Sequence, residues 1–299
     1  MGAQPQLRAY LALGLGILII GSSAILIRLA NAPGVVTAFY RMGIAAAVMA
    51  PPFYRHIRRR ALVGKEPLPK KGLWIAALAG GFFALDLAFW ASGVMLSGAA
   101  SPTLLANTAP LWVGLGAWLI FGERQRRLFW LGLGLAMLGA TIVLGQELAR
   151  ALDFGLGTFL GLLAAIGYGA YQLTTQRGRA LLDTLSFFWI SAFSASLCLL
   201  LLVAILGEPL VGYSNFTYLN FLAIGLVVQV VGWLVINYAQ GFLPAAIVAP
   251  TLLIQPLITA ILAGLLLGET FTVWHILGGA AVLAGVFSVH RSRFSRLPS

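Results

Sequence analysis

The chain is poor in residues that carry chemistry: its 299 residues include one cysteine, three histidines and eight acidic side chains. A lone thiol, Cys198, permits no disulfide framework and says nothing of redox compartment; a buried structural thiol is the expectation. His56, His275 and His290 lie far apart, in loops or at the ends of apolar runs, so with one cysteine they form no spaced set of metal ligands. The same scarcity leaves no histidine base for Ser92, Ser97 or Ser191. Asp86 has no second deep carboxylate with which to form an aspartyl pair, and the chain holds no G-x-x-x-x-G-K-[ST] phosphate loop. The expectation is a protein with no metal, no cofactor and no enzymatic activity.

Apolar residues fill the space instead. They make up 60% of the chain against 9% charged, and mean hydropathy is +0.95. Ten apolar runs lie at roughly 9–29, 35–54, 72–94, 101–121, 127–146, 155–177, 184–206, 216–240, 245–267 and 272–290. Each approaches the ~20 residues that cross ~30 Å of hydrocarbon as a helix. None alternates with the period of a barrel strand, and a helix satisfies its own backbone in lipid. The fold class expected is an all-α integral membrane protein with ten transmembrane helices. Arg8 before the first run and Ala30-Asn31-Ala32 after it resemble an export signal; because the chain starts at Met1, the segment is expected to stay as the first span.

The net charge of +11 follows topology. With the N-terminus inside, sixteen of the 19 basic residues fall near the termini or in loops after even-numbered runs, where Lys and Arg favour the cytoplasm. The other side keeps Arg28 and Arg150 with Glu147, Asp153, Glu208 and Glu269, while Arg41 stays within the second run. Both termini are expected in the cytoplasm and the protein in a plasma or inner membrane. The cations flank helices, so no nucleic-acid partner is expected. The expected partners are the lipid bilayer and a small-molecule substrate, most readily an amino acid; a monomer is the simplest reading, with an oligomer left open.

The chain also repeats itself. Pro102-Thr103-Leu104-Leu105 returns as Pro250-Thr251-Leu252-Leu253, and Pro110 precedes Gly122-Glu123 as Pro256 precedes Gly268-Glu269. At the same 146-residue offset Gly132 and Gly139 match Gly278 and Gly285, and Gly21-Ser22-Ser23-Ala24 matches Gly167-Tyr168-Gly169-Ala170. Residues 1–150 and 151–299 thus form two five-helix repeats in one membrane domain. An odd number of spans inverts the second copy. The loops agree: Arg124-Gln125-Arg126-Arg127 follows Glu123, whereas Thr270-Phe271-Thr272-Val273, without a cation, follows Glu269. Inverted repeats recur in carriers that work by alternating access, although duplication without transport has the same signature.

These residues resemble the drug/metabolite transporter superfamily, and within it the EamA-type ten-helix carriers. The resemblance runs from Gly21-Ser22-Ser23 through Tyr40-Arg41 to Gly285. Among such carriers the chain is most similar to the YddG-type exporters of aromatic and other neutral amino acids. The resemblance implies cytoplasmic termini, a central cavity lined mainly by the first four helices of each half, and fifth and tenth helices packed to one side. It also implies export as the direction, and the missing phosphate loop makes secondary or facilitated transport the expectation. Related carriers move sugars, nucleotide-linked compounds and drugs, so those substrate classes stay open. Pro102 and Pro110 are two residues further apart than Pro250 and Pro256, so the halves need not gate alike.

Candidate working residues follow from position. A proline within a span removes one backbone hydrogen bond and crowds the carbonyl four residues earlier, here Ala106 for Pro110 and Leu252 for Pro256. The two read as paired hinges or as static kinks. Phe82, Asp86, Phe89 and Trp90 share a helix face. Asp86 reads as an ammonium site, a proton carrier or a hydrogen-bonded brace; Arg41 reads as a carboxylate site, a partner of Asp86, a snorkelling cation or a brace. Gln229, Trp233, Asn237 and Gln240 share a second face, and Tyr168, Tyr171 and Gln172 cluster in the sixth run. Asn107 and Gln255 precede the two hinge prolines, and Ser22 sits in the first run's small-residue stretch. A chamber of rings and amides suits a neutral zwitterion with an apolar side chain. Trp74, Trp130, Tyr10, Tyr54, Tyr213 and Trp274 read as interfacial belt residues, and Glu123 and Glu269 as carboxylates at the N-terminus of the following helix. A channel, which needs a continuous polar file, and a ligand-binding receptor or scaffold are the competing classes.

Overall fold

The computed structural model describes residues 3–97, 100–148, 155–268, 270 and 272–294. Among the described residues ten helices are long and apolar enough to cross a membrane: α1 (Gln4–Ile27), α2 (Gly34–Leu62), α3 (Lys70–Ser97), α4 (Pro102–Phe121), α5 (Arg127–Leu144), α6 (Leu156–Arg179), α7 (Thr184–Leu206), α8 (Asn215–Ala239), α9 (Ala245–Leu266) and α10 (Val273–Ser292). The expected boundary at residues 150 and 151 lies outside the described residues, as do Arg150, Asp153, Glu269, Phe271 and Arg296. All ten expected runs reappear. The largest difference is α2, which continues through Pro51 and Pro52 to Leu62 because the arginine-rich stretch after its apolar part carries on as helix.

The repeated Gly-Glu has a backbone cause. Gly122 (φ 70°) ends α4 and Gly268 (φ 69°) ends α9, both in the left-handed conformation that closes a helix and suits glycine.

Inversion of the halves is written in the packing of α5 on α10. A Cβ on Gly132 would come within 2.7 Å of the Gly285 carbonyl oxygen, and one on Gly278 within 2.7 Å of the Gly139 carbonyl oxygen. Early residues of one helix therefore meet late residues of the other, so the two run antiparallel. Since the repeat equates 132 with 278 and 139 with 285, exchanging the halves reproduces the same pair of contacts. Only a two-fold axis across the helices does this, and across the helices means within the membrane plane.

The remaining helices build the centre. α3 packs against α6 and α7, α2 against α7 and α8, and α4 against α6 and α9. Four spans are interrupted. α1 turns at Ser22, α4 at Asn107-Thr108, α8 widens to a π-helix over Ile224–Trp233, and α9 tightens to a 3-10 turn over Leu252–Ile254. Pro110 and Pro256 do not lie at these breaks but just after them, in the first turn of the second segment, where a missing N–H costs nothing.

Two smaller expectations change. Cys198 is exposed on the lipid face of α7 beside Leu197, Leu200 and Leu201, not buried; a free thiol is apolar enough for that face. Trp74, Tyr54 and Trp274 are exposed as belt residues should be. Tyr10, by contrast, packs on His290, Trp130 on Phe129, and Tyr213 on Tyr218 and Phe221.

Candidate functional site

Where α3, α6 and α8 meet, four rings gather. Phe83 of α3 stacks on Tyr171 of α6 with centroids 4.4 Å apart, and Trp233 of α8 meets Phe83 at 5.0 Å and Tyr171 at 5.4 Å. Tyr168 stands edge-on to Trp233 at 6.0 Å. Small residues permit this: a Cβ on Gly167 would lie 3.2 Å from the Asp86 backbone nitrogen, so α6 approaches α3 next to its two tyrosines. The π-helix contributes in turn. Its wider i→i+5 winding, a frequent feature of functional sites, brings Gln229, Trp233 and Asn237 inward, all of them buried.

Arg41 of α2 completes the cluster. Its guanidinium lies 5.7 Å from the Phe83 ring centroid, and its Nε donates to Gln229 Oε1 at 2.6 Å. Asp86, three residues after Phe83 in α3, keeps accessible surface in mid-span. Among the described residues it forms neither a hydrogen bond nor an ion pair.

Several polar side-chain atoms are buried without a protein partner: Trp233 Nε1 and Asn237 Oδ1 at the rings, Gln172 Nε2 and Gln240 Oε1 next to them, and Asn107 Nδ2 and Trp112 Nε1 in α4. Leaving such a group unmatched costs about 1–3 kcal/mol. Each such group calls for a partner, which water or a ligand supplies.

One face of α6 ties off the end of the bundle where the arginine-rich loops gather. Gln172 accepts from Gln240, just past the end of α8. Gln176 donates to Glu123 Oε1 at 3.0 Å and accepts from the Ala245 amide at 2.6 Å. Arg179 donates to the Asn237 carbonyl at 2.8 Å, to Thr184 at 2.7 Å and to the Leu182 carbonyl. Glu123 therefore reaches α6, where the sequence suggested a cap on α5. Beyond this ladder a cavity of about 260 Å³ is lined by Glu123, Gln125, Arg126, Pro244, Ala246, Ile247 and Ser292.

The structure thus brings together Tyr168, Tyr171, Gln172, Gln229, Trp233 and Asn237, with Asp86 beside them. Asn107 lies at the α4 break and Gln255 opens the second segment of α9. Ser22 sits at the α1 break, its hydroxyl returned to the Ile19 carbonyl at 2.7 Å. Trp90 donates to Thr103 at 3.0 Å and so braces α3 to α4; Phe82 and Phe89 are half-buried and, among the described residues, outside the ring cluster. Phe83 and the Arg41–Gln229 bond escape a sequence reading.

The family model that matches is that of the EamA-like transporter family, over residues 7–145 and again over 155–291. The chain belongs to the EamA-like transporter family. Two uncharacterised transporters are similar to this EamA-like chain: sll1319 of Synechocystis sp., 27% identical over 243 residues that cover 77% of this chain and 70% of that protein, and YdfC of Bacillus subtilis (strain 168), 25% identical over 192 residues that cover 62% and 60%. A solved structure described only as a crystal structure of a protein, 18% identical, superposes with a TM-score of 0.77 over 99% of this chain and 100% of its own, which shows the fold. An EamA-like fold with relatives named as transporters marks a transporter, not an enzyme.

Proposed function

We propose that this transporter carries neutral amino acids, aromatic ones foremost, by alternating access, and that it works as an exporter of the YddG type. The observation that supports this reading is the ring cluster of Phe83, Tyr168, Tyr171 and Trp233 edged by unmatched amide and indole groups. Rings supply contact area for an apolar side chain, and fixed polar atoms orient a small polar head. In this reading the arginine-rich end faces the cytoplasm, as the loop charges favour. The breaks in α4 and α9 beside Pro110 and Pro256 let one end of each span tilt while the other stays packed. No phosphate-binding loop accompanies the fold, so a gradient of substrate or of a coupling ion drives the cycle.

A panel of amino acids, sugars and nucleosides presented to protein in liposomes, with and without a pH gradient and without ATP, is the test. Counterflow of labelled phenylalanine or tyrosine that Trp233→Ala abolishes supports the reading. Transport confined to sugars or nucleosides removes it, and single-channel current would replace the carrier by a pore.

A further inference from the structure

Two opposite charges inside a membrane bundle ordinarily neutralise each other, because an unpaired ion there is costly. Arg41 and Asp86 do not. Arg41 is 7% exposed and gives its Nε to Gln229, a neutral acceptor that leaves its charge uncancelled. Among the described residues its two terminal nitrogens have no hydrogen-bond partner, and neither has either carboxylate oxygen of Asp86. None of these four atoms is among the sealed orphans, so each keeps accessible surface. The Arg41 guanidinium lies over the ring of Phe83, three residues before Asp86 in α3, yet among the described residues the two side chains form no ion pair.

We infer that Arg41 and Asp86 are the specificity-determining pair of the site, Arg41 taking the α-carboxylate and Asp86 the α-ammonium of one zwitterion. The inference rests on the amino acid reading above and deepens it. The terminal nitrogens of a guanidinium form a fork matched to a carboxylate, and an ionised carboxylate only accepts, as an ammonium requires. An α-amino acid carries both charges on one carbon, so a single ligand meets both groups while its side chain lies against Phe83, Tyr171 and Trp233. The repeat argues against a duplicated structural brace: α7 and α8, the counterparts of α2 and α3, hold no charged residue, so the pair exists in one half only.

The experiment is counterflow of labelled L-phenylalanine in liposomes, competed by unlabelled L-phenylalanine, by phenylalaninamide, which lacks the carboxylate, and by 3-phenylpropionate, which lacks the ammonium. On the unaltered protein each analogue is expected to compete about 10- to 100-fold more weakly, the range for a lost hydrogen bond to a charged group. Arg41→Gln is expected to let phenylalaninamide compete as well as L-phenylalanine, and Asp86→Asn to do the same for 3-phenylpropionate. Analogues that match L-phenylalanine on the unaltered protein, or variants that weaken all three ligands equally, overturn the inference alone. The analogue series on the unaltered protein decides the matter where a variant does not fold. Absence of any amino acid counterflow overturns the amino acid reading first, and the inference with it.

Discussion

Gln176 donates its side-chain N–H to Glu123 across 3.0 Å while its carbonyl oxygen accepts the amide of Ala245 at 2.6 Å. One side chain thus joins α6 to the α4–α5 loop and to the start of α9. Gln172 and Arg179, on the same face of α6, hold α8 and the α6–α7 turn. Losing Gln176 leaves two groups unmatched, so Gln176→Leu is expected to cost roughly 1–3 kcal/mol. It should also speed labelling of a cysteine placed at Ala246, by the neighbouring cavity, in a Cys198→Ser background. Equal labelling rates with and without the substitution would show that the link does not hold this end shut.

Trp233 allows a ring and a donor to be separated, because its indole N–H is buried without a protein partner. Trp233→Phe keeps a ring near Tyr171 and removes the unmatched donor. The midpoint of unfolding in detergent is expected to hold or rise slightly, since an unmade buried bond costs about 1–3 kcal/mol. Counterflow of L-tryptophan or L-phenylalanine is expected to fall about tenfold, the worth of one hydrogen bond of ~1.4 kcal/mol. Full-rate transport by the Phe variant means that the N–H does not touch cargo.

The α5–α10 contact predicts matched effects at repeat-related positions. Gly132→Ala and Gly278→Ala each push a methyl to within 2.7 Å of a backbone oxygen of the facing helix. Each is expected to destabilise by roughly 1–3 kcal/mol, the usual cost of overpacking, and to do so about equally. Gly134, also on α5, faces open space, so Gly134→Ala should be neutral or stabilising by up to about 1 kcal/mol. Thermal unfolding of the three variants in one detergent checks both statements.

Spans are the most legible part of this protein, because lipid demands an unbroken apolar run from each helix. The repeat, too, could be read directly, and Gly132, Gly139, Gly278 and Gly285 turn out to be its points of contact. Helix faces were harder. α3 touches α2, α4, α6 and α7, so Ala76, Gly80, Phe83, Ala84 and Ala88 are buried around much of its circumference. One helix face by periodicity holds Phe82, whereas the ring that meets Tyr171 and Trp233 is Phe83, on another side of the same helix. The π-helix was hidden because steps of four residues between Gln229, Trp233 and Asn237 suit a wide turn as well as an ordinary one. Sequence also gives residue types without distances, and so could not say that Arg41 bonds Gln229 in place of Asp86.

Asp183 predicts a pH dependence at the head of α7. Its Oδ1 accepts the Ser186 amide at 3.0 Å, and its Oδ2 accepts the Ser186 hydroxyl at 2.8 Å and His56 Nε2 at 3.1 Å. Burial works to raise its pKa, but the bonds from Ser186 and the His56 ring outweigh it and hold the carboxyl below its ordinary 3.8. A carboxyl with a lowered folded-state pKa adds stability above the ordinary value and loses it as pH falls through the lowered one. Asp183→Ala is therefore expected to cost about 1 kcal/mol at neutral pH, as the loss of a helix cap does, and less below about pH 4. Unfolding of both proteins at neutral and acid pH measures the difference; a gap that does not narrow in acid assigns no role to the charge.

The prolines make the last prediction, and the positions of the breaks sharpen it. Pro110 and Pro256 each sit in the first turn of the second segment of a broken span, where the missing N–H is without cost as long as the break stays; an alanine in either place supplies the donor, to the carbonyl of Ala106 or Leu252, that joining the two segments into one helix requires. α4 breaks over two non-helical residues, Asn107 and Thr108, whereas α9 keeps a 3-10 winding through Leu252–Ile254. The α4 break is thus the looser of the two, and Pro110→Ala has more to restore. It is expected to slow transport more than Pro256→Ala and to shift the balance between inward- and outward-facing forms, read by cysteine labelling from each side of the membrane. A carrier that turns over through these breaks must respond when one is straightened. Unchanged rate and unchanged labelling in both variants would make the breaks fixed bends that packing tolerates, and the moving parts would then have to be sought in the α6 ladder.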